Sequence, residues 1–131
     1  MKPLFQGIYA IFTGNAPMVA ALTGGLHNSV APPDTAYPYG VFFLVDRIPQ
    51  DTINETMREP IVQFNIFSDS ADTDEISDLA DQLEALYDDA ELTVTGYTAH
   101  FMRIINALMP PSGTERIFQY TLQFQILLQA D

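Results

Sequence analysis

Two histidines, His27 and His100, are the first residues in this chain to test for chemistry. Imidazole binds zinc or relays protons only with help, from a second histidine, a cysteine or a carboxylate at short and regular spacing. Neither histidine has such neighbours, and the two lie far apart in the sequence. His100, inside an alternating segment, reads as a packed or surface residue. Serine offers no better start. None of Ser29, Ser68, Ser70, Ser77 and Ser112 stands in a G-x-S-x-G turn, which would expose a nucleophile above a strand. Gly24-Gly25 has no lysine after it and follows a helical segment rather than a strand. It lacks the parts of a phosphate loop and reads as a helix stop.

Carboxylates are abundant, at 17 Asp and Glu. "DSADTDE" at 69–75 has the oxygen-rich look of a calcium loop, but it lacks the glycine at the sixth position and the closing glutamate at the twelfth. A capped, solvated helix start accounts for it better. A general acid needs a pKa raised by burial, and carboxylates on the outer side of a helix have no cause for one. "NET" at 54–56 matches a glycosylation sequon, which without a secretory signal reads as chance. The absence of cysteine removes disulfides, thiolate metal sites and thiol catalysis, and fits a reducing compartment. No catalytic, metal-binding or cofactor-binding constellation survives, and no cofactor is expected.

The bulk composition narrows the classes further. At 131 residues the chain is expected to form one domain, 1–131, and 47% hydrophobic residues suffice for a real core. No apolar run reaches the roughly 18 residues of a membrane span. The start, Met1-Lys2-Pro3, carries no secretory signal, so no membrane association is expected. The net charge is -12, with Lys2, Arg47, Arg58, Arg103 and Arg116 scattered singly. Nucleic-acid binding draws on clustered cations that displace phosphate counterions. This chain would repel DNA instead.

The elements follow from periodicity. Residues 3–13 read as a helix, with Leu4, Phe5, Ile8, Ile11 and Phe12 at helical spacing and Gly14-Asn15 as its stop. A short second helix opens with Pro17 at its first position. The proline-rich stretch 28–40 is extended or turned. "VFFLV" at 41–45 is apolar on both faces and predicts a strand covered on both sides. Residues 46–55 read as a polar loop, long for a hairpin. A strand follows at 61–67. The clearest helix begins after Asp72 or Thr73, either of which can cap it, with Glu75 early enough to favour the N-terminal dipole. Its apolar stripe is Ile76, Leu79, Ala80, Leu83, Leu86 and Tyr87, while Asp74, Asp78, Asp81, Glu84 and Asp88 cover the far side. Strands at 92–95, 98–108 and 116–129 follow, with a turn at 109–115. The predicted class is α+β: an antiparallel sheet with one long amphipathic helix and short N-terminal helices packed on one face.

Two strands have unusual backs. In 119–129, Tyr120, Leu122, Phe124, Ile126 and Leu128 share the core face. Gln119, Gln123, Gln125 and Gln129, with Thr121 and Leu127, share the other. In 61–67, Gln63, Asn65 and Phe67 oppose Val62, Phe64 and Ile66. Neither back carries a charge, in a very acidic chain. A plain solvent-facing sheet is one reading. Exposed strands, however, usually mix in lysine and glutamate to block wrong pairing, whereas interface centres are depleted of charge. Self-association is the other reading. It makes Gln63, Asn65, Phe67, Gln119, Gln123, Gln125 and Leu127 candidate contacts. Arg47 and Arg58, near the ends of the 46–57 segment, are further candidates for reaching an acidic neighbour.

The ordered set "LTGGLHNSVAPPDTAYPYGVFF", "EPIVQFNIFSDSADTDEISDLADQLEALYDD" and "LTVTGYTAHFMRIINALMPPSGTERIFQYTLQFQILL" resembles the tail completion, or tail terminator, proteins of long-tailed bacteriophages. The matched features are the "APxxxxxPY" approach from Ala31-Pro32 to Pro38-Tyr39, the strand ending "FSDS" at 67–70, the amphipathic helix, and the closing "R-x-x-x-Y-x-L-x-F" at 116–124. The resemblance spans nearly the whole chain. It implies a structural virion protein without catalytic residues, forming a homo-oligomeric ring, usually hexameric, in the tail-neck region. Such a ring caps the head-proximal end of the tail tube, stops its polymerisation and meets a head-completion, or stopper, protein. DNA passes through without specific binding. If Asp74, Asp78, Asp81 and Glu84 line that channel, they would keep the DNA from sticking. Two other readings stay open: a different neck or tail-tube ring subunit, and a dimeric α+β domain that binds a small molecule.

Overall fold

The computed structural model describes residues 2–51, 56–111 and 117–131, and of 46–51 and 56 the backbone alone. Helices α1 (Lys2–Thr13) and α2 (Ala16–Ala21) lead into a short strand β1 (Leu26–Asn28). Long strands β2 (Tyr39–Asp51) and β3 (Thr56–Ser68) come next, then helix α3 (Asp74–Tyr87) and strands β4 (Tyr97–Leu108) and β5 (Phe118–Ala130). The sheet order is β1-β2-β3-β5-β4. The long strands pair antiparallel, but β1 runs parallel to β2, so the sheet is mixed rather than purely antiparallel.

The α+β class holds, with the helices on one face. Leu4, Ile8 and Phe12 from α1 and Ile76, Leu79 and Leu83 from α3 join Phe42, Val62, Phe64, Phe124 and Ile126 from the sheet in one buried cluster. Tyr87 closes it. Its ring lies 4.7 Å from Phe64 and 6.0 Å from Phe124, and its hydroxyl donates to the Ile8 carbonyl at 2.7 Å. Burial pushes its pKa well up, with the Phe12 backbone amide pulling the other way. One side chain thus ties α3 to α1 and to both central strands.

Local chemistry sets the ends. Asn15 is more than a stop: its side chain accepts the Met18 N–H at 2.9 Å and caps α2, with Pro17 in the first turn. Thr73 occupies the N-cap of α3 without a side-chain bond, and the Asp72 carboxylate takes the Asp74 N–H at 3.0 Å. Ser68, fully buried at the end of β3, donates to Glu75 at 2.7 Å and fastens the "FSDS" strand end to the first turn of α3.

Three further expectations are corrected. Residues 46–51 and 56–57 are ladder, not loop, because β2 and β3 continue their pairing to Asp51 and Thr56, while 52–55, the rest of the expected loop, lie outside the described residues. Residues 92–95 form no strand but a turn closed by an isolated bridge between Val94 and Tyr97, since Gly96, at φ 88°, turns the chain at once into β4. Coverage of both faces holds only at the start of 41–45. Val41 is buried, Phe43 is half-buried and Val45, at a bulge, is 47% exposed.

Candidate assembly interface

The strand backs of β3 and β5 lie side by side. Register pairs Gln63 with Gln123, Asn65 with Thr121, Phe67 with Gln119 and Ile61 with Gln125. These pairs bond through their side chains. Gln123 Nε2 donates to Gln63 Oε1 at 2.9 Å, Gln63 Nε2 donates to Asn65 Oδ1 at 2.9 Å, and Thr121 Oγ1 donates to the same Oδ1 at 2.9 Å. Gln119 Nε2 donates to Thr121 Oγ1 at 3.3 Å and extends the chain. Sequence periodicity put these residues on one face; only the register shows that they form a continuous hydrogen-bonded mat. All are half-buried except Thr121, which is buried.

The flanking strands complete this face. Beside β3 lie Tyr39, Val41 and Phe43 of β2, and beside β5 lie Phe101, Arg103, Asn106 and Leu108 of β4. Tyr39 stacks on Phe67 at 5.1 Å, and Tyr37 lies 5.3 Å from Tyr39. Burial, helped by Tyr37, raises the Tyr39 pKa. With the 29–37 segment these rings line a groove of about 600 Å³. The motif "APxxxxxPY" forms that segment, which ends in a cis peptide between Tyr37 and Pro38.

The face is not wholly free of charge. Glu59 accepts from Gln125 Nε2 at 3.1 Å, and the Arg103 guanidinium sits 4.2 Å from the Phe101 ring centroid. Both stand at the end of the face away from the Gln63–Asn65–Thr121 mat. Leu127 pairs with Phe101 and is half-buried. Arg103, Phe101 and Glu59 escaped sequence reasoning because the order of strands decides which backs become neighbours. The alternation in "HFMRIIN" was the available signal.

The remaining candidates lie elsewhere. Arg58 is half-buried, and its guanidinium donates to the Met57 carbonyl at 2.9 Å. The Arg47 side chain lies outside the described residues, as does all of Arg116. Asp74, Asp78 and Asp81 are exposed on α3, and Glu84 is half-buried. They face away from the core cluster, and the amide mat lies on the opposite side of the sheet from α3. Both histidines have local partners: His27 Nε2 donates to the Gly24 carbonyl and His100 Nε2 to Gln129 Oε1, each at 2.7 Å. Among the described residues no group of three metal-ligating side chains comes together.

Known proteins give this arrangement its place. A chain from the structure titled "Virion of native gene transfer agent (GTA) particle" superposes with a TM-score of 0.81, covering 95% of this chain and 93% of that one. Identity is 13%, so this likeness shows a shared fold. No curated protein matches the chain. A family model described as "Tail completion protein gp17" matches residues 7–129. The class so defined is that of structural proteins of the virion tail. Within it, the chain belongs to the tail completion protein family.

Proposed function

We propose that this tail completion protein assembles into a ring of identical subunits, six in number by the family resemblance. The ring caps the head-proximal end of the tail tube, ends its polymerisation and joins the tail to a head-completion protein. Family membership supports the setting, and the amide mat is the observation that carries the assembly. Gln63, Asn65, Thr121, Gln119 and Gln123 bond to one another before any partner arrives. Those bonds lower the cost of covering the face, because a neighbour need meet only what they leave, such as Asn65 Nδ2 and the Oε1 atoms of Gln119 and Gln123, and burying an unpaired polar group is what makes polar surfaces costly to cover. An ion at the centre would carry a desolvation penalty of several kcal/mol. Here the charges, Glu59 and Arg103, stand at the margin.

The acidic side of α3 stays solvated in this arrangement. Where Asp74, Asp78, Asp81 and Glu84 border the channel, they repel passing DNA. Arg47, on the β2–β3 hairpin, is assigned to a contact with an acidic neighbour. The test is tube growth. Added to polymerising tail-tube subunits, the protein should bind one end and stop elongation. Its incorporation along the length of growing tubes would instead identify a tube subunit.

A further inference from the structure

A ring of identical subunits needs two different, complementary patches on each chain, so that the contact repeats head to tail. The two ends of the sheet supply such a pair. Beyond its middle, β4 exposes Ile105 and Leu108, at 46% and 52%, and Met109 just after it is 40% exposed. The middle itself is already covered. Asp89 N–H donates to the Met102 carbonyl at 2.8 Å, and the Asp88 carboxylate takes the Ile104 N–H at 3.0 Å. The apolar stretch begins where that cover stops, at a bulge between Ile104 and Asn106.

At the opposite end, β1 and α1 border a groove of about 570 Å³. Phe5, Tyr9, Leu26 and Phe42 form its apolar lining, and Lys2 stands at it. Tyr9 is 46% exposed although its ring lies 6.0 Å from Phe12. Charge matches the apolar pairing. Lys2 is one of five cations in a chain of net charge -12, whereas the exposed Asp88 and Asp89 flank the β4 stretch. Bulges interrupt β2 and β4, and such irregularities oppose simple strand-to-strand addition.

We infer that the occupant of this groove is a second copy of the chain: Ile105, Leu108 and Met109 of one copy seat against Phe5 and Tyr9 of the next, with Asp88 and Asp89 facing Lys2. This rests on the ring reading above and assigns its subunit contact. Leu108 pairs with Thr121 at the border of the amide mat, so the mat lies beside this contact and is covered with it.

The absence of cysteine makes cross-linking a clean test. Tyr9→Cys/Leu108→Cys, treated with a short bis-maleimide on wild-type-like assemblies, should give a covalent ladder that ends at the closed ring. Neither single variant should cross-link, because a head-to-tail contact never brings two copies of one position together. Leu108→Asp, at an exposed site that leaves the melting midpoint in place, should lower the ring fraction by ~tenfold or more, as loss of an interface anchor does. Wild-type rings without a ladder from the double variant, or efficient cross-linking of a single variant, would overturn the assignment and leave the ring reading standing. If the wild type forms no ring alone or on tail tubes, the ring reading fails and takes this contact with it.

Discussion

Gln123 Nε2 donates to Gln63 Oε1 at 2.9 Å across the β3–β5 ladder, and Gln63 passes the bond on to Asn65. A chain with 17 acidic residues has placed amides here that bond to one another. The difference between a bonded mat and a merely polar face is testable. Gln123→Glu replaces a donor by a charged acceptor opposite the Gln63 carbonyl oxygen. In the free subunit water reaches this site, so the fold should lose no more than about 1 kcal/mol. Under cover that charge has no partner, and the assembly midpoint should move by about tenfold or more in concentration. Denaturant melts and mass-resolved oligomer titrations of the same variant separate the two effects.

Tyr87 anchors α3 to α1 through its bond to Ile8, deep in the core. Tyr87→Phe leaves that carbonyl without its side-chain partner and should destabilise the subunit by about 1–3 kcal/mol. The pH dependence has a definite sign. Burial raises the folded pKa above the ordinary Tyr value of 10.0, so the unfolded chain releases this proton first. The stability is fully present below pH 10.0 and falls as pH rises beyond it. Melting curves from pH 8 upward should show the extra alkaline decline in the wild type and lose that component in Tyr87→Phe.

The sequence made the helices and the two central strands legible because each carries an unmixed period. The stripe Ile76, Leu79, Ala80, Leu83 and the alternation Val62, Phe64, Ile66 both point to the core that forms. Residues 46–51 and 56–57 were misread because polar character hid a ladder that two antiparallel strands sustain through backbone bonds. Strand β1 was not distinguishable at three residues, since its identity depends on the parallel partner Gly40–Phe42. The site was half legible. Periodicity put Gln63 and Gln123 on backs, but the hydrogen-bonded mat, the flanking Arg103 and Glu59, and the groove beneath residues 29–37 all depend on register and strand order.

Gly24 holds the proline-rich segment close. Its N–H donates to the Pro38 carbonyl at 2.9 Å, and a methyl group there would land on the Ala36 carbonyl oxygen and 2.8 Å from Tyr39 Cβ. Backbone cannot step aside cheaply. Gly24→Ala should therefore destabilise by about 1–3 kcal/mol through overpacking, read as a shift in denaturant midpoint. It should also loosen the groove beside Phe67, read as faster proteolysis within 29–38.

Asp78 and Asp81 are exposed on α3, unlike Glu75, whose carboxylate holds Ser68. Asp78→Lys/Asp81→Lys should change subunit stability by no more than about 0.5 kcal/mol, as exposed substitutions do. In virions the same pair should slow DNA release if this face borders the channel, by replacing repulsion with phosphate attraction. Ejection kinetics at two salt concentrations check it, because an electrostatic drag weakens as salt rises.

The central claim is that this chain closes into a ring at the end of a tail tube. The most direct measurement is native mass spectrometry of the purified protein across a concentration series, repeated with purified tail tubes. A single closed species, formed alone or only on tubes and displaced by Gln123→Glu or Leu108→Asp, is the predicted result. Monomers or dimers in both series, with no binding to tubes, would contradict it.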